Sequence, residues 1–205
     1  MLITFEGTEG SGKSTLIRNL SRALTEKKIA HIVTREPGGS SVAESIREIL
    51  LHQEMHPLTE LFLYEAARAE HFQKTVLPAL KKNKLVLCDR FIDSTVAYQG
   101  FARGLDLKTI TQLNSVATEK QKPDLTFFLD LPVKVGLERA LDPNRFEREG
   151  VRFQEKVRKG FLASIAKDRR QSPRRWVVLN VHRRTPDEIC EAALTVILKK
   201  RGSKR

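Results

Sequence analysis

The chain has 205 residues, of which 40% are hydrophobic and 30% are charged, with 37 Lys and Arg against 25 Asp and Glu. This length and composition are typical of one globular domain and exclude a low-complexity or fibrous protein. The formal charge of +12 favours polyanionic ligands, and nucleotides and nucleic acids satisfy it equally well.

The sequence shows no pattern typical of a targeting signal, a membrane span, a disulfide framework or a zinc site. No apolar run approaches the roughly eighteen residues that a membrane span needs. The first residues, Met1–Gly7, lack the basic region and apolar core of a signal peptide. Cys88 and Cys190 have no CxxC partner, so neither a disulfide framework nor a zinc site is indicated. We therefore expect a cytoplasmic protein that does not associate with membranes.

Short apolar runs alternate with helical patterns along the chain, which predicts βαβ units around a five-stranded parallel sheet. Ligands bind at the carboxyl ends of the strands in such sheets. We expect one P-loop α/β domain over residues 1–205, with helices on both faces of the sheet. The predicted strands are Leu2–Glu6, Ala30–Thr34, Lys84–Asp89, Leu125–Asp130 and Arg175–Asn180.

Three features refine the helical segments. Helices are predicted over Val42–Leu51 and Pro186–Lys200, the second with Thr185 as its cap and Pro186 in its first turn. Pro78 is expected to kink or end the long helix that begins near Leu58. The basic tail at 199–205 is expected to be a solvated, disordered end.

The strongest motif in the sequence follows the first strand and opens a helix. It matches GxxxxGK[ST], and its glycines let backbone N–H groups fold around a phosphate. Lys13 is expected to reach the β- and γ-phosphates of ATP, and the Ser14 hydroxyl to bind Mg²⁺. The residues predicted to bind ATP are Gly7, Thr8, Glu9, Gly10, Ser11, Gly12, Lys13, Ser14 and Thr15.

A second group of polar residues falls at strand ends and on helices that face the same cleft. Asp89 ends the third strand and is placed to hold a metal-bound water, and Arg90 beside it suits an acceptor phosphate. The alternative is that Asp89 and Arg90 form a local ion pair. Thr95, Tyr98 and Gln99 share roughly one helix face and suit a base and a sugar.

Two further residues lie one helical turn apart. Tyr64 and Arg68 bring a ring and a guanidinium to the same helix face. The alternatives are that Tyr64 belongs to the core and that Arg68 pairs with Glu65 or Glu60 on the surface.

These segments, in this order, resemble the thymidylate kinases of the bacterial type with the catalytic arginine in the lid. The resemblance implies ATP- and Mg²⁺-dependent phosphorylation of dTMP to dTDP and a homodimer. Its strongest segments are Phe5–Thr15, Thr34–Gly39, Ala66–His71, Asp89–Phe91 and Asp93–Gly100.

The resemblance also implies roles for individual residues. Tyr64 would stack on the thymine, and Tyr98 would lie under the sugar and disfavour a 2′-hydroxyl. Arg90 would hold the acceptor phosphate. Glu9 would act near the sugar or the metal, and catalysis would rest on Glu9, Lys13, Arg90 and Arg145. The other substrate-binding positions are Glu36 and Pro37, with Arg68, Thr95 and Gln99 at the base edge.

A charged stretch at about 141–152 is either a solvated loop or a lid that closes over ATP. In the resembled family, enzymes with Gly in the P-loop where others have Arg supply the arginine from the lid, and here Gly10 has that position. Arg145 is the favoured lid arginine, with Arg148 as the other candidate. The resembled lids usually have Asp where Asn144 stands, and a longer Arg- and Gly-rich run.

Two other functions remain open at this point. One is a kinase for another monophosphate, such as deoxyuridylate, cytidylate or guanylate, because one methyl group is worth only about 1–3 kcal/mol in an apolar pocket. The other is a P-loop ATPase that binds nucleic acid through its positive charge. No interleaved aromatic and basic strand pattern supports the second function, so we expect nucleotides as partners rather than a specific nucleic acid.

Overall fold

The computed structural model describes residues 1–139, 145–171 and 175–203. Five strands form one parallel sheet in the order β2-β3-β1-β4-β5. The predicted fold class is confirmed, and no boundary of a predicted strand differs from the observed one by more than one residue. The strands are β1 (Leu2–Glu6), β2 (His31–Arg35), β3 (Leu85–Asp89), β4 (Leu125–Asp130) and β5 (Trp176–Asn180).

Helices connect the strands. The segment after β1 is α1 (Lys13–Glu26), and β2 leads through α2 (Ser41–His52) and α3 (Pro57–His71) towards β3. The other helices in the described ranges are α4 (Leu77–Lys81), α5 (Ile92–Thr95), α6 (Leu107–Ala117), α7 (Val133–Glu138), α8 (Arg145–Arg148), α9 (Gly150–Gln171) and α10 (Pro186–Gly202).

Successive strand residues pack on opposite faces of the sheet, because side chains alternate along a strand. Ile3 and Phe5 join the buried cluster that α1 and α10 cover. Leu2 packs with Phe72 on the other face, and Phe128 of β4 packs against α9 there. Both faces are therefore buried, and the ends of the sheet are left for polar groups.

Pro78 does not end the long helix that it interrupts in sequence. α3 runs into a π-helical turn at Phe72–Val76, and α4 continues from there to Lys81. Pro78 lies in the first turn of α4, where a missing N–H is tolerated. The wider turn before it is the local adjustment that lets the helix continue past the proline.

The C-terminal helix is longer than expected. Thr185 and Glu188 form a reciprocal capping box at its start, as the predicted cap requires. The helix extends to Gly202, so the expectation of a disordered tail from residue 199 is wrong as far as 202. Basic residues suit the last turn because they face the negative end of the helix dipole. Residues 204 and 205 lie outside the described ranges.

Within the described ranges, no helix combines the length and the apolar character needed to cross a bilayer.

Candidate active site

A cavity of about 580 Å³ opens at the carboxyl ends of β1, β2 and β3. It brings together most of the residues that the sequence predicted for ATP, metal and substrate. Those that line it are Glu9, Gly10, Ser11, Gly12, Lys13, Ser14, Thr15, Glu36, Pro37, Tyr64, Arg68, Asp89, Arg90, Thr95, Tyr98 and Gln99.

The phosphate loop connects β1 to α1 and depends on glycine at two points. Gly12, at the N-terminus of α1, has the left-handed φ of 90°. Gly10 has a φ of 67°, and a Cβ there would lie 2.0 Å from the carbonyl oxygen of Gly136. A side chain at residue 10 is thus excluded by the backbone of α7, so this loop cannot carry an arginine of its own in this conformation.

Lys13 is folded back into the phosphate loop. Its Nζ donates to the carbonyl oxygens of Gly7 (3.2 Å) and Thr8 (3.1 Å) and to Ser11 Oγ (3.3 Å). Burial lowers the pKa of Lys13, and the charge of Arg90 lowers it further. Gly7 and Thr8 do not line the cavity, but their carbonyls hold the lysine in position beside it.

Ser14 and Asp89 both line the cavity, and their side chains form a hydrogen bond. Ser14 Oγ donates to Asp89 Oδ2 at 3.2 Å. Asp89 Oδ1 is buried and has no hydrogen-bond partner among the described residues. A hydroxyl beside a carboxylate with an unused oxygen fits Mg²⁺, which takes few protein ligands and keeps several waters. The residues present therefore fit the predicted metal.

Arg90 is held at the end of β3 by contacts with the phosphate loop. It has a φ of 67°, in the left-handed region. Its Nη2 donates to Glu9 Oε1 (2.7 Å) and its Nη1 to the Gly7 carbonyl oxygen (3.1 Å), while its guanidinium lies 5.0 Å from the centre of the Tyr98 ring. Burial opposes the charge of Arg90, yet Glu9 raises the pKa of Arg90 well above its usual range.

Glu9 is shared between Arg90 and Tyr98. The Tyr98 hydroxyl donates to Glu9 Oε1 at 2.9 Å. Burial favours protonation of Glu9, but Arg90 and Lys13 outweigh it and lower the pKa of this carboxyl. The side chain is therefore an anion beside two cations, Arg90 and Lys13.

Glu6 fixes the loop that carries Arg90, a role that the sequence alone did not indicate. This fully buried carboxyl accepts from Phe91 N (2.9 Å) and Ser94 Oγ (2.5 Å). Burial raises the pKa of Glu6 to about 8, with a further contribution from the charge of Asp93. The carboxyl thus ties residues 91 and 94 to the end of β1.

Arg68 lies at the base of the cavity, with only 2% of its surface exposed. Its Nε donates to Glu36 Oε2 (2.7 Å), its Nη1 to Glu65 Oε1 (2.7 Å) and Thr95 Oγ1 (2.8 Å), and its Nη2 to the Phe91 carbonyl (3.2 Å). The alternative of a surface pair with Glu65 is wrong, because the Arg68–Glu65 pair is buried. These bonds also join Glu36, Arg68 and Thr95 in one network.

Tyr64 and Gln99 complete the predicted base site. Tyr64 packs near Phe146, with the ring centres 6.2 Å apart. Gln99 is 1% exposed, and its Nε2 donates to Glu60 Oε1 at 2.8 Å. An aromatic ring and an amide are thus both available in the same part of the cavity.

The favoured lid arginine lies away from the phosphate loop. Arg145 begins α8, is 8% exposed, and its Nη2 lies 2.7 Å from Glu60 Oε2. Its Nε donates to the Leu50 carbonyl oxygen at 3.1 Å. Arg148 is exposed. The first part of the proposed lid, including Asn144, lies outside the described residues.

Several cavity residues were missed by the sequence interpretation. Arg47 donates to the Pro37 carbonyl oxygen (2.9 Å), and Arg139 lies 3.4 Å from the Gly10 carbonyl oxygen. Arg47 lies outside the segments of the resemblance, whereas Arg139 ends a weaker segment of it, Gly136–Arg139, and was given no role there. The missed lining residues are Arg35, Arg47, Leu51, Ser94, Arg139 and Phe146.

Comparison with known proteins shows the family of this chain. The family model described as "Thymidylate kinase" matches residues 5–185. The chain is 52% identical to the thymidylate kinase of Geotalea uraniireducens over 87% of each chain. It is 42% identical to that of Desulfovibrio desulfuricans over 98% of each.

A solved structure gives the same result for the fold. The crystal structure of thymidylate kinase from Ehrlichia chaffeensis matches with a TM-score of 0.75 and 36% identity, covering 96% of this chain and 98% of that one. Both the sequence and the fold are therefore shared along nearly the whole length, and the chain belongs to the thymidylate kinase family.

Proposed function

We propose that this chain transfers the γ-phosphate of ATP to dTMP, giving ADP and dTDP. The observation that carries the proposal is that Lys13 and Arg90 line one cavity, both donate to the Gly7 carbonyl oxygen, and both lower the pKa of Glu9. Lys13 belongs to a loop built to hold a triphosphate. Arg90 is a second, independent cation for the phosphate of the acceptor.

The reaction follows from the placement of these charges. The attacking atom is an oxygen of the acceptor phosphate, which already carries negative charge, so no dedicated base is required. Lys13 and Arg90 hold the two phosphates in line and neutralise charge on the transferring group. Ser14 and Asp89 would hold Mg²⁺, which supplies further charge neutralisation when it is bound.

The acceptor nucleoside fits the part of the cavity beyond Arg90. Tyr64 would stack on the thymine, and Arg68, Thr95 and Gln99 would meet its polar edge. Tyr98 would lie under the sugar, since its ring is buried and its hydroxyl is tied to Glu9. Glu36 and Pro37 close the cavity on the side of β2.

Arg145 is proposed to stabilise charge in the transition state only after α8 moves, because in this conformation its guanidinium is paired with Glu60. Arg139 already lies beside the phosphate loop, with its Nη1 3.4 Å from the Gly10 carbonyl oxygen. We propose that the two act at different stages, with Arg139 on bound ATP and Arg145 after closure of the lid.

A homodimer is proposed from a layer of three helices. α3 packs against α2 and α6, and the outer surface of this layer carries large apolar side chains exposed to solvent. Gel filtration with light scattering tests this, and Phe62→Glu should give a monomer. The exposed apolar residues are Val42 and Ile49 on α2, Leu58 and Phe62 on α3, and Leu107 and Val116 on α6.

The direct test of the activity is product analysis. The chain is incubated with ATP, Mg²⁺ and dTMP, and the nucleotides are separated by ion exchange. Equal amounts of ADP and dTDP are expected, and Lys13→Met should form neither at a comparable rate. ADP without dTDP would mean that water is the acceptor, and the proposal would fail.

A further inference from the structure

Glu60 is a buried carboxylate that contacts Gln99, which lines the cavity, and Arg145, which begins α8. It lies in the first turn of α3 and has no exposed surface. Its Oε2 lies 2.7 Å from Arg145 Nη2 and 3.3 Å from Arg103 Nη2. Its Oε1 accepts from Gln99 Nε2 at 2.8 Å. Arg103 also donates from its Nε to Oε1 at 3.4 Å, so it spans both oxygens, whereas Gln99 contacts only Oε1 and Arg145 only Oε2.

The contact with Glu60 decides how the Gln99 amide is turned. A carboxylate has only acceptors to offer, so Gln99 must direct its NH₂ group towards Glu60. The amide oxygen is then the group left to meet a ligand in the cavity that Gln99 lines. Without this contact the Gln99 amide could rotate and present its NH₂ group to the cavity instead of its oxygen.

We propose that Glu60 is a positioning residue that fixes the Gln99 amide so that its oxygen faces the acceptor base. This selects a base with an N–H donor at ring position 3, as in thymine, over a base with an acceptor there, as in cytosine. The inference rests on the proposed placement of the base beside Gln99. Glu60 would thus determine which base is accepted without contacting the substrate itself.

The substitution Glu60→Gln tests this sharply, because the two arginines dictate how the new amide must lie. Its oxygen must stay beside Arg145 Nη2 and Arg103 Nη2, since an NH₂ group there would oppose two close donors, whereas the other position faces only the longer contact of Arg103 Nε at 3.4 Å. Its NH₂ group then faces Gln99, which must rotate to offer its oxygen. The Gln99 NH₂ group is thereby turned into the cavity, towards the base.

The readout is kcat/KM for dTMP divided by kcat/KM for 5-methyl-dCMP, which has the same methyl group and sugar. The two bases differ at ring position 3 and in the neighbouring oxygen or amino group. Glu60→Gln is expected to lower this ratio by about 100-fold, because a site built for one hydrogen-bond pattern rejects the opposite one. A general loss of packing would change both substrates together and leave the ratio unaltered.

Two other variants serve as references. Arg103→Ala removes a partner of Glu60 but leaves Gln99 and its acceptor, so the ratio should stay within about twofold of the wild type. Gln99→Leu removes the amide that reads the base, so the ratio should fall.

The outcomes separate the inference from the activity on which it rests. A lowered ratio in both Glu60→Gln and Gln99→Leu supports the inference. A lowered ratio in Gln99→Leu alone overturns it and leaves the base beside Gln99. An unchanged ratio in Gln99→Leu removes the base from this position and the inference with it, and a wild-type chain that phosphorylates neither nucleotide rejects the kinase activity itself.

If Glu60→Gln does not fold, the wild-type chain answers the question by NMR. The side-chain NH₂ signals of Gln99 are identified by their loss in Gln99→Leu. They should exchange slowly with solvent, both alone and with dTMP bound, because Glu60 holds them in both states. Fast exchange, or a large shift of these signals on adding dTMP, would show that the amide nitrogen meets the base and would overturn the inference.

Discussion

Arg90 Nη2 donates to Glu9 Oε1 at 2.7 Å, so the end of β3 and the phosphate loop are joined by a charged hydrogen bond. The cation proposed to hold the acceptor phosphate is therefore positioned by the loop proposed to hold ATP. Because Glu9 also accepts from the Tyr98 hydroxyl, one carboxylate orients both Arg90 and the ring that we propose to lie beneath the sugar. The same residue would thus align both substrates.

Arg90→Lys is expected to lower kcat/KM for dTMP by about 10²–10³, because an ammonium cannot reproduce the planar fork that spans Glu9, Gly7 and a phosphate. The affinity for ATP, measured by calorimetry without the acceptor, should change far less. Equal losses of ATP and dTMP binding would contradict an acceptor role, and would point to a phosphate loop that has lost its shape.

Gly10→Ala and Gly12→Ala form a matched pair for the phosphate loop. Both residues have left-handed φ, which costs a non-glycine residue about 1–2 kcal/mol. A Cβ at residue 12 meets no atom within 4 Å, whereas one at residue 10 collides with Gly136. The free energy of unfolding of Gly10→Ala, measured by chemical denaturation, should therefore be lower than that of Gly12→Ala by about 1–3 kcal/mol. Equal losses would mean that α7 yields without cost.

Glu6 predicts a particular dependence of stability on pH. Because its pKa rises from 4.5 to about 8 on folding, the native state binds the extra proton between these values, and stability falls as pH rises through this window. The contribution is fully present below about pH 4.5 and lost above about pH 8. Glu6→Gln cannot ionise and should not show this loss.

The measurement is the free energy of unfolding of the wild type and of Glu6→Gln at several pH values from 5 to 9. The wild type should lose stability relative to the variant as pH rises, with a slope of at most about 1.4 kcal/mol per pH unit. Parallel curves would show that Glu6 is ionised throughout in the native state.

The proposed roles of Arg145 and Arg139 are separated by kinetics. Arg145→Ala is expected to lower kcat by about 10³ with little change in KM, as for an arginine that acts only in the transition state. Arg139→Ala should mainly raise KM for ATP, because Arg139 already lies beside the phosphate loop. If Arg145→Ala lowers the melting temperature but not kcat, Arg145 is only an anchor for α8 on Glu60.

The strands were predicted to within one residue because each is a short apolar run ending in a polar residue, as at Glu6 and Asp89. Local signals also gave the cap at Thr185. The continuation of the helix past Pro78 was harder to predict from the sequence, because a π-helical turn depends on how Phe72 and Val76 pack against β1 and β3. Sequence patterns report such packing only indirectly.

For the site, contiguous motifs were informative and distant ion pairs were not. Lys13 and Arg90 were found from their neighbours in sequence. The pairing of Arg145 with Glu60 joins residues far apart in the chain, and Glu60 had been considered only as a surface partner of Arg68. Nothing local distinguishes a carboxylate that holds Gln99 and two arginines from one on a solvated helix face.

The most direct test of the central claim is the rate of ADP release with ATP and Mg²⁺, compared without acceptor and with dTMP, dUMP, dCMP, dGMP or UMP. A large stimulation by dTMP, a weaker one by dUMP and almost none by UMP are expected, because the cavity should read both the base and the deoxyribose. If the rate of ADP release is the same with and without each of these monophosphates, the result would contradict the kinase assignment and favour an ATPase.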